Sequence, residues 1–576
     1  MPEVIDDAGT ASPKSIASRW IQRLQQREDQ VFLTLTLVIG ALTGMAVVAF
    51  IVLTERLGMR LYPVGSAAWR RLLIPVMGSL GMGYLLWRYF PNARGSGVPQ
   101  TKAALFAREG VITARTMFGK FFCTSATLAC GIPLGREGPS VQVGGGIASV
   151  LGRWLKLRPE KVKALIPVSS AAAIAAAFNT PLAAVLFALE EITGDLNAPV
   201  LGSVVIASAT SWMMLRLFLG NHPLFEVPAY QLVHPLELPV YAVLGVLGGL
   251  VSVAFTKMLL SMRAWFLRQP SSTVWFQPVA GGLLTGLLGL IVPQVLGVGY
   301  GYVGDALNNN FALKLMALLV VFKLLSVTVS YASGNAGGIF GPSLFIGAML
   351  GGTVGSVAHH FLPAYTATPG AYALVGMGTA FAGIVRTPMT SVLMIFEITR
   401  DYSIIVPLMI SNLVSFFISA RLQRRPIYEE LALQDGIYLP SAETRKRQAA
   451  RTVAQVMRPA TVVLPAELAS GEALQRVAGS GYRCWPVTDG RGLVGMLTAS
   501  LLEQSAALDA SQPVGALVRD TASPHVHPDH TLHDALERMG SEGLDVLPVV
   551  SRANIRALMG IVTLDDLLRA YGVRQG

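Results

Sequence analysis

Several stretches of this chain carry no charged residue over 19 or more consecutive positions. They include Val31–Thr54, Leu165–Leu189, Leu238–Thr256, Phe340–Ala358, Tyr365–Val385 and Tyr402–Ala420. A helix needs about 20 apolar residues to cross a bilayer. Two further stretches, Leu72–Trp87 and Pro278–Leu296, are apolar but interrupted by Gly and Pro. In lipid every backbone polar group must find its partner within the protein, which restricts spanning segments to helices or closed barrels. The pattern predicts an all-α polytopic membrane protein, and a mean hydropathy of +0.53 agrees.

The net charge of +11 does not point to a nucleic-acid partner, because the cations flank the apolar runs. Lys14, Arg19, Arg23 and Arg27 precede the first run; Arg421, Arg424, Arg425, Arg445, Lys446, Arg447 and Arg451 follow the last. Basic flanks stay on the cytoplasmic side, so both termini are expected there. Residues 1–30 are polar, and no cleavable signal peptide is expected. The three cysteines show neither a disulfide framework nor a zinc spacing, so no metal is expected.

Composition divides the chain into an N-terminal segment (1–30), a membrane part (31–425), a polar linker (426–450) and two soluble repeats (451–510 and 511–576). The membrane part repeats itself. "FNTPLAAVLFALEEI" at 178–192 matches "VRTPMTSVLMIFEIT" at 385–399, with the Thr-Pro pairs 207 residues apart. "GREGPS" at 135–140 matches "GIFGPS" at 338–343, 203 residues on. Such repeats build transporters from two inverted halves, with the substrate near mid-membrane at broken helices. In the soluble part, "YRCWPVTDGRGLVGMLTASLL" at 482–502 resembles "LDVLPVVSRANIRALMGIVTLDDLL" at 544–568; each copy reads strand, turn, strand, helix.

The two GPS motifs read as fresh helix starts. A helix N-terminus offers free amides and the positive end of the dipole, which together bind anions. "GSGVP" at 95–99 is a third such start, and Ser96 adds a hydroxyl. Three starts converging at mid-membrane would bind a small anion without a full counter-charge, which suits release as well as capture. Glu137 then stands out, since a charge at membrane depth is costly and marks function. A carboxylate beside an anion site can imitate the anion when ionised and withdraw when protonated. Its repeat counterpart is Phe340, so it is not a symmetric packing residue.

"GSGVP", "GREGP" and "GGIFGP", with Tyr428 in "RRPIYEEL", resemble the signatures of the CLC chloride channels and transporters. The soluble repeats resemble a pair of CBS domains. The resemblance implies an inverted-repeat CLC-type membrane fold with a cytoplasmic α/β CBS pair, a homodimer, and a bacterial inner membrane location. It implies a chloride site formed by the Ser96 and Tyr428 hydroxyls and the Ile339 and Phe340 amides, with Glu137 as gate. Lys120 and Arg136 would lie near the pathway.

Glu190 has a repeat counterpart, Glu397, and a duplicated acid suggests a duplicated structural role, each acid serving its own half. Glu191 faces Ile398 in the repeat. By resemblance it corresponds to the internal proton glutamate of the exchangers, at a helix end that reaches cytoplasmic water. Gln100 departs from the acid many relatives carry after this motif. In the second soluble repeat, Thr563 and Asp566 resemble the CBS pattern for phosphate and ribose, so an adenine nucleotide is the ligand implied; the first repeat has Thr498 but Leu501. His525, His527, His530 and His533 match no zinc spacing and read as a solvated stretch. The expected function is chloride/proton exchange rather than an enzymatic activity, with no required cofactor. The alternatives are a passive chloride channel on the same fold, or a nucleotide or magnesium sensor anchored by its membrane part. Nitrate is left open, and fluoride is disfavoured by the motifs.

Overall fold

A computed structural model describes residues 28–63, 65–196, 199–220, 224–225, 227–228, 230, 232–439, 451–518 and 524–571. The four basic residues before the first run, and Arg445, Lys446 and Arg447, lie outside them. The chain forms two compact units, Met1–Leu439 and Pro440–Gly576.

The first unit is helical, and its helices pair off across the repeat. Glu28–Leu61, Trp69–Arg88, Val98–Ala107 and Ala114–Ala129 correspond in order to Leu238–Leu267, Pro278–Ile291, Tyr300–Leu307 and Leu313–Ala332. Glu137–Trp154, Pro159–Phe178, Pro181–Phe187 and Leu201–Leu219 correspond to Phe340–Phe361, Pro369–Ile384, Pro388–Thr399 and Ile405–Leu422. Packing follows the same symmetry: Glu137–Trp154 lies on Pro159–Phe178, and Phe340–Phe361 on Pro369–Ile384.

Among the described residues, seven helical segments are long and apolar enough to cross a membrane. Several of the remaining helices are short for a reason visible in the sequence. The run Leu165–Leu189 is not one span, as its lack of charge suggested. It breaks at Asn179, which sits in the left-handed region at φ 59°, and restarts at Pro181. Proline has its torsion preset for a first helical turn and lacks the amide that would go unpaired there. Pro388 restarts the second half the same way. Pro369–Ile384 has only 16 residues, about 24 Å at 1.5 Å per residue, short of a bilayer core.

Residues assigned above to the start of a linker form a further helix, Ile427–Gln434, with Ile427 and Tyr428 buried. Arg263 fixes its end, donating to Gln434 Oε1 at 2.9 Å and Asp435 Oδ1 at 2.5 Å.

In the second unit β1 (Leu464–Pro465), β2 (Cys484–Asp489) and β3 (Gly492–Thr498) form one sheet, β1 parallel and β3 antiparallel to β2. β4 (Val546–Val550) and β5 (Leu558–Thr563) pair antiparallel. The two repeats exchange their leading segments, so a linear cut at 510 does not divide them in space. Val453 packs in the second core and its amide donates to His530 O at 2.8 Å. Val514 packs in the first core and its amide donates to Leu468 O at 2.9 Å.

Candidate anion and proton site

The two GPS loops meet. Gly135 and Gly338 exchange backbone hydrogen bonds of 2.7 Å in both directions, a small antiparallel bridge that sets two helix starts side by side. The third start closes on them: a methyl group at Gly138 would lie 2.8 Å from Ser96 Oγ. Only glycine permits that approach.

Ser96 and Tyr428 are fully buried, and neither hydroxyl oxygen has a hydrogen-bond partner of normal geometry among the described residues. Tyr428 lies within interaction range of Ser96, Glu137 and Glu191. Ile339 and Phe340 head the helix Phe340–Phe361, where the first amides have no intrahelical acceptor. A buried donor without an acceptor costs about 1–3 kcal/mol. Buried hydroxyls and helix-start amides without acceptors are the kinds of donor a small anion would satisfy. The Phe340 ring turns away into an aromatic cluster, 4.3 Å from Phe381, 4.8 Å from Phe178 and 5.6 Å from Phe187 between centroids.

Glu137 is fully buried at the first turn of its helix. Its Oε1 accepts from the Tyr300 hydroxyl, and its Oε2 from the Gly341 amide at 3.2 Å. Arg136 is not its ion-pair partner. Arg136 meets Glu55 at 3.6 Å and stands over the Tyr300 ring.

Glu191 is not at a wet helix end. It is 5% exposed, on a π-helical turn, Ala188–Thr193, and pairs with Lys102 Nζ at 2.8 Å. Turns of this kind are rare and gather at functional sites. Glu190 and Glu397 do cap backbone, but each serves the opposite half. Glu190 accepts from Thr390 N at 2.8 Å, Thr390 Oγ1 at 2.7 Å and Met389 N at 3.3 Å. Glu397 accepts from Ala183 N at 2.7 Å and Leu182 N at 2.9 Å. A carboxylate at a helix start complements its dipole, and the exchange ties the halves together.

Lys120 is fully buried and does not snorkel. Its ammonium donates to Ala93 O at 3.0 Å and to Gly95 O, bracing the loop that carries Ser96. Gln100 Oε1 accepts from Gly97 N at 2.9 Å in the same loop. Lys102, Tyr300 and Lys323 were missed by sequence reasoning. For Lys323 a signal existed: it lies 203 residues after Lys120, the same offset as the GPS motifs.

In the soluble unit Thr563 and Asp566 form a reciprocal helix cap, and Arg458 bonds both, at 2.8 and 2.9 Å. His525, His527 and His530 are half-buried rather than solvated, with ring centroids 5.2 and 4.9 Å apart. Burial first, then His527, Arg538 and Arg552, hold His530 below the usual imidazole pKa.

Two inverted halves of broken helices around unpaired, buried anion donors define a class of membrane ion-handling protein. Residues 78–420 match the voltage gated chloride channel family, and residues 453–502 and 514–573 match the CBS domain. The chain belongs to that chloride channel family and carries a CBS pair. It is 32% identical over 432 residues to the H(+)/Cl(-) exchange transporter ClcA of Salmonella arizonae, covering 72% of this chain and 91% of that one. A slow cyanobacterial Cl-/H+ antiporter of known structure is 27% identical, with a TM-score of 0.65 over 70% of this chain and 97% of its own. A eukaryotic CLC transporter shares the fold at 20% identity, with a TM-score of 0.60 over 93% of this chain and 97% of its own.

Proposed function

We propose that this protein exchanges chloride for protons across a membrane. The observation that carries it is the pairing of an anion donor set holding no full positive charge with two buried acids, Glu137 and Glu191, that the repeat does not duplicate. Chloride is held by Ser96, Tyr428 and the Ile339 and Phe340 amides. Glu137 occupies the path when ionised and leaves it when protonated. Glu191 takes protons on the cytoplasmic side, parting from Lys102 as it does so, and Tyr428 stands between that side and Glu137. Close relatives in sequence and structure are named as proton-coupled chloride exchangers, which supports this reading.

Both termini are cytoplasmic, the protein is a homodimer with one pathway per subunit, and it resides in a bacterial inner membrane. The CBS pair offers one adenine-nucleotide site, at Thr563 and Asp566. The decisive test is reconstitution in liposomes. A chloride gradient should drive protons uphill, and chloride flux without proton movement would make the protein a channel.

A further inference from the structure

The loops before Val98 and Tyr300 are built alike. Gly97 precedes the first helix at φ 103° and Gly299 the second at φ 87°, a region other residues rarely enter. Lys120 braces the first loop; Lys323, equally buried, braces the second by donating to Val295 O at 3.1 Å and Gly297 O at 2.6 Å. What the loops present differs. The first offers Ser96 to the anion site. The second offers Tyr300, whose hydroxyl donates to Glu137. The Tyr300 ring is held in place by the Arg136 guanidinium, 5.4 Å from its centroid, and by the edge of Phe225 at 5.6 Å. Gly341 makes the room: a methyl group there would lie 2.7 Å from the hydroxyl.

We propose that Tyr300 is a positioning residue for the gate: its hydroxyl latches the Glu137 carboxylate in the anion path, on a loop braced by Lys323. This rests on the reading of Glu137 as the gate. Among the described residues, the titratable groups that bear on Glu137 are Tyr300 and Tyr428, and Arg136 bears on Tyr300. The hydroxyl is one of two donors that hold the carboxylate in place, so its loss eases release of the gate.

The test is full-length Tyr300→Phe in liposomes, which keeps the ring over Arg136 and removes the hydroxyl alone. The pH of half-maximal chloride transport should rise by about one unit, the scale of one hydrogen bond to a charged group. Proton coupling should persist, because Glu137 remains. In a Glu137→Gln background the same change should leave chloride flux unaltered. A wild-type pH profile for Tyr300→Phe overturns the latch. An equal effect in both backgrounds overturns it too, because the hydroxyl then acts elsewhere. Should Tyr300→Phe fail to fold, Tyr300→Leu, which also lacks the hydroxyl, must give the same shift, or the latch fails. If Glu137→Gln itself stays proton-coupled, the gate reading has failed instead, and the two failures are distinct.

Discussion

The two halves of the membrane unit share a skeleton and differ in chemistry. Eight helices match eight, both halves restart at a Thr-Pro pair, and each braces one loop with a buried lysine. The acids kept in both halves, Glu190 and Glu397, have the same job, each capping a helix start in the other half. The departures gather at the site: Glu137 opposite Phe340, and Glu191 opposite Ile398. On the proposed reading, symmetric positions carry the scaffold, and Glu137 and Glu191, which break the symmetry, carry the ion chemistry.

The strongest test of that division is Glu137→Gln. Amide replaces carboxylate at nearly equal volume but exchanges no proton. Coupling should vanish while chloride still flows, read with chloride and pH electrodes on one liposome sample. The repeat counterpart should behave oppositely. Phe340→Leu removes a ring from an aromatic cluster and should lower stability by about 1–2 kcal/mol with coupling retained. Uphill proton pumping by Glu137→Gln would break the comparison.

Glu191 comes next. Glu191→Val should uncouple the protein and leave chloride flux. Lys102→Met strands a buried carboxylate, a change that costs about 3–5 kcal/mol. Combining the two substitutions should recover most of that loss, because no charge is left unpaired. Thermal unfolding in detergent reads the stability, and a double variant no more stable than Lys102→Met alone would show that the pair is not what binds these helices.

Much of this was legible in the sequence, because helix starts leave strong local marks. Gly, Pro and a repeat offset mark the three helix starts and the two matching halves, whereas the choice of the amides at 339 and 340 came from resemblance alone. Partners were harder to see. Lys102 is 89 residues from Glu191, and Tyr300 is 163 from Glu137; only the folded chain brings them together. The crossed capping by Glu190 and Glu397 was misread for the same reason, since an offset shows that two residues are equivalent but not which half each one serves. The break at Asn179 was hidden because absence of charge says nothing about continuity of a helix.

The crossed caps give a subtler prediction. Glu397→Leu strands the amides of Leu182 and Ala183, and Glu190→Leu strands those of Met389 and Thr390 with the Thr390 hydroxyl. Each stranded donor costs about 1–3 kcal/mol where water cannot replace the acceptor. The two variants should lose similar stability, Glu190→Leu slightly more, and protein that folds should keep its coupling ratio. Loss of coupling in one variant alone would move that acid from scaffold to mechanism.

The smallest effect concerns the CBS pair, where the same contrast between copies recurs. The first copy has Thr498 and Leu501; the second has Thr563 and Asp566. In the second, Asp566 Oδ2 accepts from Thr563 N at 3.1 Å and from Arg458 Nε at 2.9 Å. A ribose hydroxyl must therefore displace Arg458 before it reaches the carboxylate, and binding should be weak. At a millimolar dissociation constant the whole binding energy is only about 4 kcal/mol. Losing one hydrogen bond to a charged group, about 1.5–3 kcal/mol, is then enough to take binding out of range. Calorimetry on the full-length protein in detergent should find one adenine-nucleotide site per chain. Asp566→Asn should remove it while keeping an acceptor for the Thr563 amide, so the helix cap survives. Thr498→Ala should change nothing. If Thr498→Ala were instead the variant that lost the nucleotide, the asymmetry between the copies would run the other way, and Arg458 with Asp566 would be a structural clasp and nothing more.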